Sequence, residues 1–232
     1  MRVFAISDLH LSTNCNKPMD IFGPVWKDHL VSIEKSWKKN VHKKDIVLLA
    51  GDHSWAMKLD EAQPDLDYIS SFKGTKVLIK GNHDYWWSSI SGVRSRLGEN
   101  TFAIQNDALK FGKYVICGTR GWKVPEDGKF QTEADKKIYD REVVRLELAL
   151  KAAEKLRGKR DKLIVMLHYP PFNYKRQPNE ITALLEKYGV NRVVFGHLHK
   201  YNKKQKLEFE RNGIKYYLTS CDLVDNKLVR IK

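Results

Sequence analysis

Five short stretches of this 232-residue chain place metal-binding side chains directly after an apolar run. Asp8-Leu9-His10 follows Arg2 to Ser7, Gly51-Asp52 follows Asp45 to Ala50, and Gly81-Asn82-His83-Asp84 follows Lys76 to Lys80. His168 ends the run Lys162 to Leu167, and Gly196-His197-Leu198-His199 ends Arg192 to Phe195. Each stretch reads as a strand running into a loop, and open α/β sheets collect their ligands at the C-terminal edge of their strands. Carboxylates, imidazoles and one amide carbonyl converging on such an edge exceed the needs of a single ion and suit two divalent transition ions. The chemistry predicted by that set is two-metal hydrolysis.

Taken in order as D-x-H, G-D, G-N-H-D, H and G-H-x-H, the blocks resemble those of the calcineurin-like metallophosphoesterases, with no ligand position substituted. The resemblance spans residues 8 to 199. Gly51-Asp52-His53-Ser54-Trp55-Ala56-Met57, Tyr85-Trp86-Trp87 and Gly118-Thr119-Arg120-Gly121-Trp122 are further similar to a bacterial subgroup of predicted phosphohydrolases. Such a resemblance implies a four-layer α/β/β/α sandwich of two mixed β-sheets flanked by helices, with the metal site in loops at one end. Carried over position by position, it implies one ion on Asp8, His10, Asp52 and His199 and a second on Asp52, Asn82, His168 and His197, with Asp52 bridging. The implied metals are manganese, iron, zinc, nickel or cobalt. The implied reaction is hydrolysis of a phosphomonoester or phosphodiester by direct in-line attack of a hydroxide bridging the ions. His83 is assigned by the same resemblance to the leaving group, and Asp84 can orient that imidazole or act only as a structural cap.

Other residues near the blocks have two readings each. His53, directly after Asp52, either lines the site or is structural. Arg120 offers a planar cation suited to phosphate oxygens or to an ion pair. Trp86 and Trp87, with Trp55, Trp122 and Tyr169, either stack on a nucleobase or pack the loop bases. His29 shares a helical face with Trp26, Leu30, Ile33 and Trp37, which marks it as a packing histidine.

The elements needed to position these loops follow from periodicity. Helices are expected over Val25 to Asn40, Pro64 to Phe72, Tyr85 to Leu97, Glu133 to Arg157 and Glu180 to Tyr188. Strands are expected near Thr101 to Gln105 and Leu109 to Gly118, an exposed loop over Pro125 to Lys129, and a hairpin turning at Asn212-Gly213. Strands alternating with helices, then hairpins, imply mixed sheets with helices outside.

Composition narrows the function class. A length of 232 residues with 42% hydrophobic content fits one domain, residues 1 to 232, and the chain opens directly into a strand. No apolar run is long enough to span a bilayer, so a cytoplasmic protein without membrane partners is expected. Cys15, Cys117 and Cys221 form no C-x-x-C pair and suggest inert thiols. The net charge of +14 is scattered over Lys38-Lys39, Lys43-Lys44, Lys110, Lys113, Lys136-Lys137, Lys155 to Lys162 and Lys200 to Lys206. Scattering favours a solvated surface and a small phosphorylated substrate, possibly a nucleotide, over a dedicated nucleic-acid face. A nuclease or phosphoprotein phosphatase is the competing activity, and the complete ligand set disfavours a non-catalytic scaffold. Sequence leaves the oligomeric state open.

Overall fold

In a computed structural model, which describes residues 1–199 and 206–232, the apolar runs form two mixed sheets. The first contains β1 (Val3–Ile6), β2 (Ile46–Leu49), β3 (Thr75–Leu78), β4 (Thr101–Ala103) and, from the far end of the chain, β11 (Val229–Ile231). Its order is β11-β1-β2-β3-β4, with only β11 antiparallel. The second contains β5 (Ala108–Phe111), β6 (Tyr114–Thr119), β7 (Lys162–Leu167), β8 (Arg192–Phe195), β9 (Glu208–Arg211) and β10 (Ile214–Leu218). Its order is β5-β6-β7-β8-β10-β9, with a parallel centre and antiparallel edges.

Strand alternation builds the layers, because successive side chains point to opposite faces. Val3, Ala5, Ile46, Leu48 and Val77 of the first sheet meet Ile116, Ile164, Met166, Val194 and Tyr217 of the second in one buried cluster. Phe4, Ile6, Val47 and Leu49 point the other way, onto α1 (His29–Asn40) and α2 (Leu59–Ser71). Val115, Leu163, Val165 and Val193 pack against α4 (Glu133–Leu156) and α5 (Glu180–Lys187). Three apolar layers between four structural ones give the expected α/β/β/α sandwich. Among the described residues no helix is long and apolar enough to cross a membrane.

Several boundaries differ from the periodic reading, each for a local reason. The first helix begins at His29, because Asp28 adopts a left-handed conformation after a 3-10 turn over Pro24–Trp26. The second begins at Leu59, where the Glu61 carboxylate caps the amides of Met57 and Lys58, so Pro64 falls in its second turn. Leu109 to Gly118 is a hairpin rather than one strand, turning at Gly112 with φ +56°. The Asn212-Gly213 turn is present, with both residues at positive φ. Of the expected cationic cluster Lys200 to Lys206, residues 200–205 lie outside the described part.

The largest departure is at Tyr85 to Leu97, where only α3 (Ile90–Arg94) is helical. Trp86 and Trp87 sit in a turn before it, because their groups have partners elsewhere. The Trp86 indole donates to Asp84 Oδ1 at 3.0 Å, and the Trp87 carbonyl accepts from Lys80 Nζ at 2.7 Å. These side-chain hydrogen bonds within the loop outweigh helical periodicity.

Candidate metal centre

All the parallel strands end on one edge, and the loops beyond them nest closely. Asp8 follows β1, Asp52 follows β2, Asn82 follows β3, His168 follows β7 and His197 follows β8. Glycine permits that nesting at two points. A Cβ at Gly81 would lie 2.1 Å from Asp52 Oδ1, and one at Gly196 would lie 2.3 Å from Ser7 Oγ and 2.5 Å from Asp8 Oδ2. Asp8, His10, Asp52 and His197 hold left-handed backbone, at φ 59°, 49°, 54° and 72°. Non-glycine residues in that region cost on the order of 1–3 kcal/mol each when the conformation is strained, and they persist where surrounding contacts impose them.

Two overlapping groups of ligand atoms result. Asp8, His10 and His199 bring theirs within 4.8 Å of one another, and so do Asp8, Asp52 and His168. Asn82 joins the second side, its Oδ1 lying 2.7 Å from His168 Nε2 and 2.8 Å from His197 Nδ1. Asp8 is common to both groups, yet its Oδ2 is occupied by the Ser7 hydroxyl at 2.5 Å and the His197 amide at 3.1 Å. Asp52 is differently placed. Its Oδ1 accepts from the His83 amide at 2.8 Å, while its buried Oδ2 has no hydrogen bond. That oxygen faces His168 Nε2 at 3.4 Å and His10 Nε2 at 3.9 Å, one histidine from each side.

The residues therefore fit metal ions. His168 Nδ1 lies 2.9 Å from the Ala50 carbonyl, so Nδ1 carries the proton and Nε2 points at two oxygen acceptors, Asn82 Oδ1 and Asp52 Oδ2. Acceptors converging on a lone pair require a proton or a cation between them. Burial would lower the His168 pKa, but the Asp52 and Asp8 carboxylates outweigh it and push it up to about 9. Burial likewise opposes ionisation of Asp52, yet His168 and His10 hold its carboxyl well below the usual range. Burial carries His10 and His197 down to about 3, which leaves both as neutral donors.

Supporting contacts fix these ligands. His199 Nδ1 pairs with Asp222 Oδ1 at 3.1 Å, and its Nε2 is 3.6 Å from Asp8 Oδ1. Asp222 follows β10 and is buried at its carboxylate, with 4% exposure. Sequence reading missed its role, although its position after a parallel strand of the same sheet was the available signal. His29 is a packing histidine whose ring bridges the carbonyls of Trp26 and Leu9, so it braces the Asp8-Leu9-His10 loop from behind.

His83 is half-buried beside the ligands, with ring centroids 5.8 Å from His10 and 4.6 Å from Trp55. Asp84 does not orient it. The Asp84 carboxylate is fully buried and accepts from the amides of Gly81, Asp52 and His53 at 2.7–2.9 Å and from the Trp86 indole. Both oxygens are thus committed to holding the second and third ligand loops together. His53 is also structural: it is fully buried, lies 2.9 Å from the Ile79 carbonyl through Nε2, and packs on Trp86 and Trp87.

Trp86 and Trp87 are each 1% exposed, with their indoles bonded to Asp84 and Gln105, so neither has a face for a nucleobase. The Arg120 guanidinium lies 4.8 Å over the Trp122 ring, and its contact at the site is a carbonyl that accepts from the His168 and Tyr169 amides. Beyond His197 and His199 the edge opens into a cleft of about 1010 Å³. The Pro125 to Lys129 loop packs on its outer side, where Asn173 donates to the Pro125 carbonyl and Glu126 lines the wall.

A sequence model of the family described as calcineurin-like phosphoesterase matches residues 1–201. No curated protein sequence matches the chain significantly. Among solved structures, TT1561 of Thermus thermophilus is similar with a TM-score of 0.61 at 14% identity, over 100% of this chain and 98% of that one. The protein of unknown function AQ665 from Aquifex aeolicus gives a TM-score of 0.49 at 14% identity, over 99% of this chain and 95% of that one.

Proposed function

Because the chain belongs to the calcineurin-like phosphoesterase family, we propose that it hydrolyses a phosphoric monoester or diester at a centre of two transition-metal ions. Asp8, His10, Asp52 and His199 hold one ion in this reading, and Asp52, Asn82, His168 and His197 the other. One observation carries it: Asp52 Oδ2, buried and without a hydrogen bond, faces a histidine of each set. An unpaired buried acceptor is rare in a native protein and calls for a partner, which a bridging position supplies. Nitrogen and oxygen donors without thiolate suit manganese, iron, zinc, nickel or cobalt. Such ions, when bound, polarise a phosphoryl oxygen and lower the pKa of the attacking water.

The chain's own groups do the rest. Asp84 keeps the Asp52 and Asn82 loops in register through the Asp52 and Gly81 amides. Ala50 fixes the His168 tautomer. His83 is tied to the centre by its own amide on Asp52 Oδ1 and has a buried Nδ1 without a partner. In that position the imidazole donates a proton to the leaving oxygen of a small phosphorylated substrate. Trp55 lies against both the His10 and His83 rings, at 4.7 and 4.6 Å, and sets their orientation.

Reconstitution with manganese, followed by metal counting and assays on 4-nitrophenyl phosphate and bis(4-nitrophenyl) phosphate, tests the proposal. Two ions per chain and turnover of at least one ester are expected. A single ion per chain, or two ions with neither ester hydrolysed, would sink it.

A further inference from the structure

The cleft beside His197 and His199 has features that catalysis at the phosphate does not use. Phe172 and Phe209 line it with ring centroids 5.7 Å apart, and both pack on the buried Tyr216. At one end Tyr169 lies 4.1 Å from the His197 ring, so this aromatic surface begins at a ligand. At the rim Tyr174 is 94% exposed, although its amide is pinned to Glu126 Oε1 at 2.8 Å. A large ring held in water on a fixed backbone has no packing role here and presents a free face.

Arg176 is the second feature. Its guanidinium lies 4.0 Å from the Phe209 ring centroid and lines the same cleft. Among the described residues no carboxylate pairs with it, whereas its neighbour Lys175 pairs with Asp127 at 2.6 Å. The backbone at Arg176 is left-handed, at φ 52°, which is unusual for a residue that is neither Gly nor Asx. It is held there by its amide on the Asn173 carbonyl at 3.0 Å and by the Arg211 guanidinium donating to its own carbonyl. The other cations of the lining are Lys123 and Lys206, and the lining carboxylate, Glu126, is engaged by Tyr174.

A ring-lined cleft of this volume, at the upper end for small-molecule sites, ends in a planar cation with no acid. We infer that the cleft binds the body of the substrate: an aromatic ring lies against the exposed Tyr174 ring at the rim, and a second anionic group, distinct from the scissile phosphate, pairs with Arg176. This inference rests on the phosphoesterase reading above, and it narrows the substrate to a small phosphoester that carries both a ring and a distal phosphate or carboxylate. Stacked arginine suits that task, because its fork binds an oxyanion bidentately while its face stays on the ring.

Three chromogenic diesters that release the same 4-nitrophenolate test it on the metal-loaded protein. They are methyl 4-nitrophenyl phosphate, thymidine 5′-(4-nitrophenyl phosphate) and thymidine 3′-phosphate 5′-(4-nitrophenyl phosphate). The inference expects kcat/KM to rise at each step, the last by about 10-fold, the size of one charge-assisted hydrogen-bonded pair. Arg176→Gln removes the last step, and Arg176→Lys restores part of it. Equal kcat/KM for the two thymidine esters in the parent protein overturns the inference, as does a last step that survives Arg176→Gln. If none of these diesters turns over, the assays on 4-nitrophenyl phosphate and bis(4-nitrophenyl) phosphate decide the phosphoesterase reading, and calorimetry decides the cleft separately. Thymidine 3′,5′-bisphosphate should then bind about 10-fold tighter than thymidine 5′-phosphate, and equal affinities refute the anion subsite. The comparison of ligands on the parent protein holds whether or not the Arg176 variants fold.

Discussion

The loops that follow the first sheet and those that follow the second are each pinned by one buried carboxylate, but the two pins do different things. Asp84 collects four main-chain amides, those of Asp52, His53 and Ser54 from one loop and that of Gly81 from the next, and so joins the two loops into one body. Glu142, from α4, accepts from the Thr119 hydroxyl at 2.6 Å and the Gly121 amide at 3.0 Å, and pairs with Arg145. It ties a loop without ligands to a helix. The first-sheet wall is therefore closed on itself around Asp8, His10 and Asp52, all nearly inaccessible. The second-sheet wall buries His168 but leaves His199 partly exposed, at 34% of its side chain, and opens into the cleft. In the proposed reading the difference separates two tasks: one wall would present fixed ligands, and the other would meet whatever is bound to the phosphate.

The strongest way to break this division is Asp52→Asn. It removes charge from the oxygen that faces both sides, so both metals should be lost and activity should collapse while the fold survives. Metal analysis showing two ions at unchanged affinity would contradict the bridging position.

His83→Ala comes next, with turnover expected to fall by about 10²–10⁴ at near-normal metal content. The loss should be larger for alkyl esters than for nitrophenyl esters, and an equal loss across leaving groups would remove the proton-donor role.

The two pins themselves can then be compared. Asp84→Ala strips four buried amides and an indole of their acceptor, and a destabilisation of roughly 3–5 kcal/mol is expected, accompanied by loss of metal. Glu142→Gln keeps an acceptor for Thr119 and should cost about 1–3 kcal/mol with metal content retained. Denaturant unfolding alongside metal counting separates them, and equal metal loss in both variants would erase the distinction.

The smallest effect is expected for Asp222→Asn, which weakens the support of the outermost ligand. Metal affinity should fall by about 10–100-fold, the usual range for a lost partner of a ligating histidine, with little change in melting temperature.

The residues of the candidate centre were legible because each lies in a local block whose residue types can be read without the fold, from Asp8-Leu9-His10 to Gly196-His197-Leu198-His199. The layers were legible because strand alternation and helix periodicity are short-range signals. What the sequence hid were the partners supplied over long distances. Asp84 looked like support for its neighbour His83, but its partners come from a loop some thirty residues earlier, with separations of 31 and 32. The Asp84 carboxylate so anchored also accepts from the Trp86 indole, in a turn where periodicity indicated helix. Glu142 sits in a charged helix, and nothing local distinguishes it from the exposed acids around it. Asp222 stands beside a strand end with no ligand spacing to announce it, and the pairing of β11 with β1 across the whole chain leaves no mark in either segment.

That closing of the chain on itself bears on how the molecule is made. Past β10 the main chain zips onto the end of β1: Ser7 donates to the Thr219 carbonyl, and Cys221 donates to Ser7 and, through its thiol, to the Asp8 carbonyl 213 residues away. Contacts of such sequence separation form late, because loop-closure entropy must be met before they stabilise anything. A growing chain on the ribosome carries Asp8 and Asp52 from early on, yet it lacks the segment that braces Asp8 until Thr219 to Cys221 have emerged. Chains ended before Thr219 should accordingly fail to retain metal at these ligands after gel filtration. Ion capture would then be open only to chains in which residues 219–221 have already closed on Ser7 and Asp8.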